Sequence, residues 1–332
     1  MATRNDVAKQ ANVSPATVSF VLNGSKKISP EVRKQVLDAA KKLNYQPNYI
    51  ARSLVTKRTH HVGIVLNELQ SASISEIVTS FESNARENGY MTSLILMQKN
   101  IEGPFQDIIK RRIDGLFISI SFNGFTQELI QQLQQNKTAL VTGDCFMTGI
   151  SSVRCDYQQG LQDLISFLKD NGHKKIGFIS GIPLKDPTNL RYQSYRFWLD
   201  FYGLKTSPEY CIDFQYDGSI QNGYLAAKAL LQNTDITAII TLNDQMAIGA
   251  LKYCYDQQIS VPNDISVCSC DGNNISDNLC PPLSYISCNK QFLGKSIFTK
   301  LLELIDGGQP TITLVPMRLH TGKTVGPVKE QT

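Results

Sequence analysis

The chain has 332 residues, 42% of them apolar and 19% charged, an ordinary globular balance that argues against disorder as its main state and allows two or three domains with sizeable cores. No stretch approaches the roughly 18 uninterrupted apolar residues of a membrane span, and "MATRNDVAKQ" lacks the apolar core of a secretory signal, so a cytoplasmic protein with no membrane partner is expected. The net charge of +4 hides an asymmetry, because residues 1–60 carry eleven Lys/Arg against three Asp/Glu (net +8) while the remainder carries 22 basic and 26 acidic residues (net −4). A basic head on a mildly acidic body suits a chain whose head meets a polyanion, although a solvated basic helix surface has the same signature.

Thr3 and Asp6 have capping-box spacing and predict a helix through Val7, Ala8 and Ala11 that stops at Asn12. A second helix follows almost at once, in "SPATVSFVLNG": Ser14 caps it, Pro15 takes the first position, where a missing N–H costs nothing, and Gly24 ends it. Two helices joined by so short a turn have helix-turn-helix spacing, with Ala8, Val13, Val18 and Val21 as the locking faces. "SPEVRKQVLDAAKKL" repeats the device with Ser29 and Pro30; Val32, Val36, Leu37, Ala40 and Leu43 should close a three-helix core, leaving Arg33, Lys34, Lys41 and Lys42 outside. In "YQPNYIARSLVTKRT", Pro47 and Asn48 open a helix too short to be stable alone. It is amphipathic, with Tyr49, Ile50 and Leu54 against Arg52, Lys57 and Arg58, which predicts a helix that forms when docked.

From His61 onward, apolar strand-like runs ("VGIVLN", "TSLILM", "GLFISIS", "TALVTGD", "KKIGFISG", "AIITLND", "ISVCSCDG", "LSYISC") alternate with helical ones. Nearly continuous apolar strands between helices indicate parallel sheets covered on both faces, and the length calls for two lobes. The phosphate-loop, dinucleotide and nucleophile-elbow patterns are absent, so an enzyme is not expected. All eight cysteines follow residue 144, none in C-x-x-C spacing, and several sit in apolar runs. They are read as reduced thiols, with zinc a poor second; His60, His61, His173 and His320 form no metal pattern, so neither metal nor cofactor is expected.

The order D-V-A, V-S-x-x-T-V-S, V-L-N-G, S-P-E-x-R, Y-x-P-N and A-R-S-L closely resembles the DNA-binding domain of the lactose/galactose-repressor (LacI/GalR) family. The likeness continues through "GHKKIGFISG", "TAIITLNDQMAIGALKYCYDQQISVPNDISVCSCDG" and "PMRLHTGKT", similar to the family's core, which has the fold of type I periplasmic sugar-binding proteins. The resemblance implies a small all-α helix-turn-helix head on an α/β core of two lobes with parallel sheets. The divisions are a DNA-binding domain at 1–46, a hinge helix and linker at 47–60, and an effector-binding and dimerisation core at 61–332. It further implies a homodimer on double-stranded DNA with a near-palindromic operator, controlled by a small effector, a sugar or related metabolite.

Carried over by position, Pro15, Ala16 and Phe20 face base edges in the major groove, while Ser14, Thr17, Ser19 and Asn23 meet phosphates or adjacent bases. Tyr45, Asn48 and Arg52 join the DNA-contacting set. Leu54 matches the hinge leucine that wedges into a minor-groove step, with Ala51 as its small neighbour. Phe20 departs from the polar reader frequent in the family; a phenyl ring can pack on a thymine methyl but cannot make guanine's paired hydrogen bonds.

In the core, Asp144, Asn243 and Asp271 fall at strand ends and Arg191 in a helical segment, and all four match effector-contacting positions. Their chemistry suits a polyhydroxylated ligand. Each has a plainer alternative: a helix cap for Asn243–Asp244, more readily Asp244; a turn at Gly272 for Asp271; a surface ion pair for Arg191. Ser73 and Ile74 stand in the loop after the first core strand, and Lys185 is a ligand-anion contact or an exposed loop lysine. Phe197 and Trp198 are expected in helix packing. A sugar-binding solute receptor of the same core fold is the rival reading; it would have no use for the basic head.

Overall fold

A computed structural model describes residues 2–22, 28–46, 53, 56, 58–67, 69, 71–97, 102–119, 127–144 and 149–329. The chain divides into two compact units, Met1–Thr59 and His60–Thr332.

The first unit holds α1 (Arg4–Gln10), α2 (Pro15–Leu22) and α3 (Pro30–Lys42). The capping box forms: the Thr3 side chain accepts from the Asp6 N–H, and the Asp6 carboxylate accepts from the Thr3 N–H at 2.8 Å. Asn12 takes the left-handed conformation (φ 49) that turns the chain into α2. Ser14 caps α2 as expected, its Oγ accepting from the Thr17 N–H at 3.0 Å, and Ser29 caps α3. Val7, Ala8, Val18, Val21, Val36, Ala39 and Ala40 are buried together, with Val13, Val32 and Leu43 packed around them. Leu37 is a correction: it is exposed, and Ala39 takes the buried place on α3. The core-facing positions 36, 39, 40 and 43 follow helical spacing, which leaves position 37 off the stripe.

Among its described residues the second unit contains two six-stranded sheets. In chain order it runs β1 (His61–Leu66), α4 (Ala72–Glu87), β2 (Met91–Leu96), α5 (Glu102–Arg111), β3 (Gly115–Ser119), α6 (Gln127–Gln135), β4 (Ala139–Thr142), β5 (Ser151–Cys155), α7 (Tyr157–Asp170), β6 (Ile176–Ser180), α8 (Leu190–Phe201) and β7 (Cys211–Asp213). It continues through α9 (Ile220–Asn233), β8 (Ala238–Thr241), α10 (Asp244–Asp256), β9 (Ser266–Ser269), α11 (Asn274–Asp277), β10 (Ser284–Cys288), α12 (Lys290–Ile305), β11 (Ile312–Val315) and β12 (Met317–His320).

The first sheet has order β11-β5-β4-β3-β1-β2 with every recorded pairing parallel; the second has order β12-β10-β9-β8-β6-β7, parallel except that β12 runs antiparallel to β10. The parallel sheets expected from the sequence are present, with β12 added to the second as an antiparallel edge strand. Strand β1 shows why its sequence is nearly all apolar: Val62, Ile64 and Leu66 face one core with Phe81 and Phe298, while Val65 faces another with Phe105, Ile108, Ile130 and Leu133.

The chain crosses between the lobes three times. Strand β5 belongs to the first sheet, but α7 packs on β10 and β12 of the second; β10 belongs to the second, but α12 packs on α4, β3, β4 and β5 of the first. Finally β11 pairs with β5 and β12 with β10, so Pro316 lies at the third crossing.

Candidate functional site

Within the second unit, a cavity of about 430 Å³ opens where the carboxyl ends of both sheets converge. Strand ends supply its polar wall: Asn67 after β1, Asp144 after β4, Asn243 after β8, Asp271 after β9 and Lys290 after β10. In parallel α/β sheets the loops at these ends face a common crevice, the usual seat of a ligand.

Arg191, in the first turn of α8, organises one side. Its guanidinium lies 4.3 Å from the centroid of the Tyr157 ring, and its Nη1 is 3.5 Å from Asp144 Oδ2. The Tyr157 hydroxyl donates to the same carboxylate oxygen at 3.0 Å. Burial raises the Tyr157 hydroxyl well above its usual range and keeps it a donor. The expected alternative of a surface ion pair for Arg191 does not hold, because the pair is made inside the cavity wall with the arginine side chain only 15% exposed.

On the other side, Lys290 Nζ donates to Asp271 Oδ1 at 2.5 Å, with the lysine side chain 6% exposed. Burial alone would lower that lysine's pKa; Asp271 first, then Cys288 and Cys155, reverse the balance and raise it above its usual range, so it keeps its proton. The turn role for Asp271 is thus replaced by an ion pair. Gly272 beside it has a separate reason to be glycine: a Cβ there would lie 1.6 Å from the Tyr285 ring.

Asn243 is the N-cap of α10, accepting from the Met246 N–H at 2.9 Å, while its Nδ2 donates to the Gly218 carbonyl at 3.1 Å. This corrects the sequence preference for Asp244 as the cap. Asp244 is buried instead under hydrogen bonds donated by Asn273 and Ser276, and burial, with Asp271 nearby, pushes its carboxyl up to about 7. Asn243 still lines the cavity.

Ser73 and Ile74 also line it, but from the first turn of α4, not from a loop. Lys185 is exposed and lies outside the lining residues. Trp198 packs as expected, donating its indole N–H to the Gln158 carbonyl at 2.7 Å, whereas Phe197 is exposed. The sequence reading missed Tyr157, Lys290 and Tyr216, all of which line the cavity. Tyr157 and Lys290 each sit two residues beyond a strand end, the signal that could have marked them.

Three buried polar atoms of lining residues have no hydrogen-bond partner among the described residues: Arg191 Nε, Asn67 Oδ1 and Ser73 Oγ. Buried polar groups are nearly always satisfied, so such a cluster at one cavity marks it as a place for polar ligand atoms.

In the first unit, Pro15, Ala16 and Phe20 project from α2 into solvent, Phe20 being 55% exposed, while Val18 and Val21 are buried beneath. The hydroxyls of Ser14 and Thr17 are 2.9 Å apart at the start of the helix. Ser19 is half-buried, and Tyr45 packs against the three-helix core. Asn23, Asn48, Ala51, Arg52 and Leu54 lie outside the described residues.

A helix-turn-helix unit joined to a two-lobed core with a polar cavity at its strand ends defines a DNA-binding regulator with a ligand-binding domain. Residues 3–48 match the model for bacterial regulatory proteins of the lacI family, and residues 165–325 match a periplasmic binding protein-like domain. The transcriptional repressor PurR of Pasteurella multocida is 32% identical over 92% of both chains. Catabolite control protein A of Priestia megaterium is 31% identical, with 85% of this chain and 86% of that protein covered. A crystal structure of the lac repressor dimer bound to operator and the anti-inducer ONPF superposes with a TM-score of 0.82 at 25% identity, covering 98% and 99% of the two chains. The chain belongs to the lacI family of bacterial transcriptional regulators.

Proposed function

We propose that the protein is a repressor whose affinity for a near-palindromic operator is set by a small polyhydroxylated effector, a sugar or related metabolite, held between the core lobes. The observation that carries this reading is Arg191, stacked on Tyr157 and paired with Asp144, with its Nε–H at the cavity lacking a partner among the described residues. A rigid fork of donors beside carboxylate and amide acceptors suits paired hydroxyls. The structural neighbour's operator and anti-inducer support both halves of the reading. Asp144, Arg191, Asn243, Asp271, Ser73 and Ile74 are the effector set, to which the geometry adds Tyr157, Lys290 and Tyr216; Lys185 is left out.

On the DNA side, Pro15, Ala16 and Phe20 read bases by apolar and shape contacts, Ser14, Thr17, Ser19 and Asn23 hold phosphates or neighbouring bases, and Tyr45, Asn48 and Arg52 add contacts. Leu54 and Ala51 form the minor-groove wedge, in a 47–60 hinge between a 1–46 head and a 61–332 core. The chain acts as a homodimer in the cytoplasm, by binding and not by catalysis. Exposed Met91, Leu94 and Leu96 on edge strand β2 support a pairing surface. Among the described residues no helix is long and apolar enough to cross a membrane. Coupling between cavity and operator is worth about 1–3 kcal/mol in such systems. Selection of sites from random DNA, with and without pooled sugars and nucleosides, tests the reading; recovery of one palindrome whose enrichment the pool alters supports it, and unselective recovery rejects it.

A further inference from the structure

Two of the three lobe crossings bring thiols together. Cys155 ends β5 at the first crossing, Cys288 ends β10 at the second, and their sulfurs are 3.0 Å apart although the residues are 133 positions apart in sequence. Both are free and buried, and the third crossing runs beside them: Val315 pairs with Cys155 and Met317 with Cys288. Cys155 also lines the cavity, so a small solute that enters it comes up to one sulfur of the pair, with Cys288 directly behind. The two sulfurs are unlike. Cys288 accepts the Cys155 S–H and lies near the Lys290 cation, both of which favour its thiolate, whereas that hydrogen bond and burial hold the proton on Cys155. Neither thiol belongs to the effector or operator sets proposed above, although Cys155 borders the same cavity.

We propose that Cys155 and Cys288 form an oxidative modification site for a small peroxide, and that the resulting disulfide staples two lobe crossings to each other. The Cys288 thiolate attacks one peroxide oxygen; the O–O bond breaks, and hydroxide leaves and takes up a proton to become water. Cys288 is left as a sulfenic acid. The Cys155 thiol loses its proton and attacks that sulfur, so that the S–S bond forms, the S–O bond breaks and a second water leaves. Two electrons pass from the two thiols to one hydrogen peroxide, giving one disulfide and two waters. Because the lobes can change their angle only through the crossings, joining two of them restricts that motion. The proposal does not rest on the effector assignment above, since the thiol pair is tested in protein with no added ligand.

The test uses the reduced full-length protein and one equivalent of hydrogen peroxide. Intact mass should fall by two hydrogen atoms, and digestion should yield a peptide linking Cys155 to Cys288 that dithiothreitol separates. The thermal midpoint should rise by several degrees, since closing a long loop restricts the unfolded chain. In Cys155→Ser the link and the midpoint rise should vanish, and dimedone should trap Cys288 as its sulfenic acid. Oxidation confined to exposed Cys280, with no linked peptide, would overturn the proposal. A linked peptide without a midpoint rise would overturn the staple.

Discussion

The Arg191 guanidinium lies over the Tyr157 ring, 4.3 Å from its centroid, and this stacking fixes a cation whose Nε–H has no other partner among the described residues. The pair joins two elements that are distant in sequence, since Arg191 enters from α8 and Tyr157 from the first turn of α7. A ligand hydroxyl or carboxylate meeting that N–H meets a donor already held in place, and little side-chain entropy remains to be lost. Arg191→Lys keeps the charge but loses the planar fork. It should weaken effector binding by roughly 10-fold or more, a single charged hydrogen bond being worth about 1.5–3 kcal/mol. Calorimetric titration of the hit from the pooled sugars and nucleosides measures this; unchanged affinity would remove Arg191 from the site.

The Lys290–Asp271 pair makes a separate prediction about stability. Lys290→Met leaves the Asp271 carboxylate without its cation, which should cost about 3 kcal/mol in urea unfolding. A Lys290→Met/Asp271→Leu double variant should recover most of that loss, because neither charge is then stranded. If the double variant is as unstable as the single one, the pair's charge is not what holds these strand ends.

Asp244 gives a pH dependence whose sign follows from its burial. Its folded-state pKa of about 7 lies above the ordinary 3.8, so the folded core binds this proton more tightly than the unfolded chain does. The contribution is complete below 3.8 and is lost as pH rises through about 7. Asp244→Asn should flatten the fall of the core's denaturation midpoint across that window. An equally steep fall in the variant would assign the dependence to another group.

Phe20 tests the head. With its ring exposed on α2 above buried Val18 and Val21, Phe20→Arg should change base preference at one position of each half-site and leave folding intact. An unchanged selection profile would show that Phe20 does not read bases.

Among the described residues the three helices of the head were legible in the sequence, because their devices are local: a capping box, two Ser-Pro starts and a helical stripe, with Leu37 the misplaced member. The core's layers were equally visible in its apolar runs, and Asp144, Asn243 and Asp271 stood out as polar residues ending apolar strands. Long-range placement was not visible. The pattern of β11 and β12 is four residues each, too short to show that one returns to the first sheet and the other joins the second. Without those crossings, Tyr157 and Lys290 read as ordinary helix-start residues. Asn243 and Asp244 are adjacent and both able to cap, so only the tertiary burial of Asp244 decides between them.

Control of operator affinity by ligand at the cavity is read out by fluorescence-anisotropy titration of the selected operator with wild type and Arg191→Ala, with and without the pooled compounds. Wild type should shift by roughly 5–150-fold, the range of a 1–3 kcal/mol coupling, and the variant not at all, with its ligand-free operator affinity at the wild-type value. An equal shift in both proteins, or none in wild type, would contradict that control.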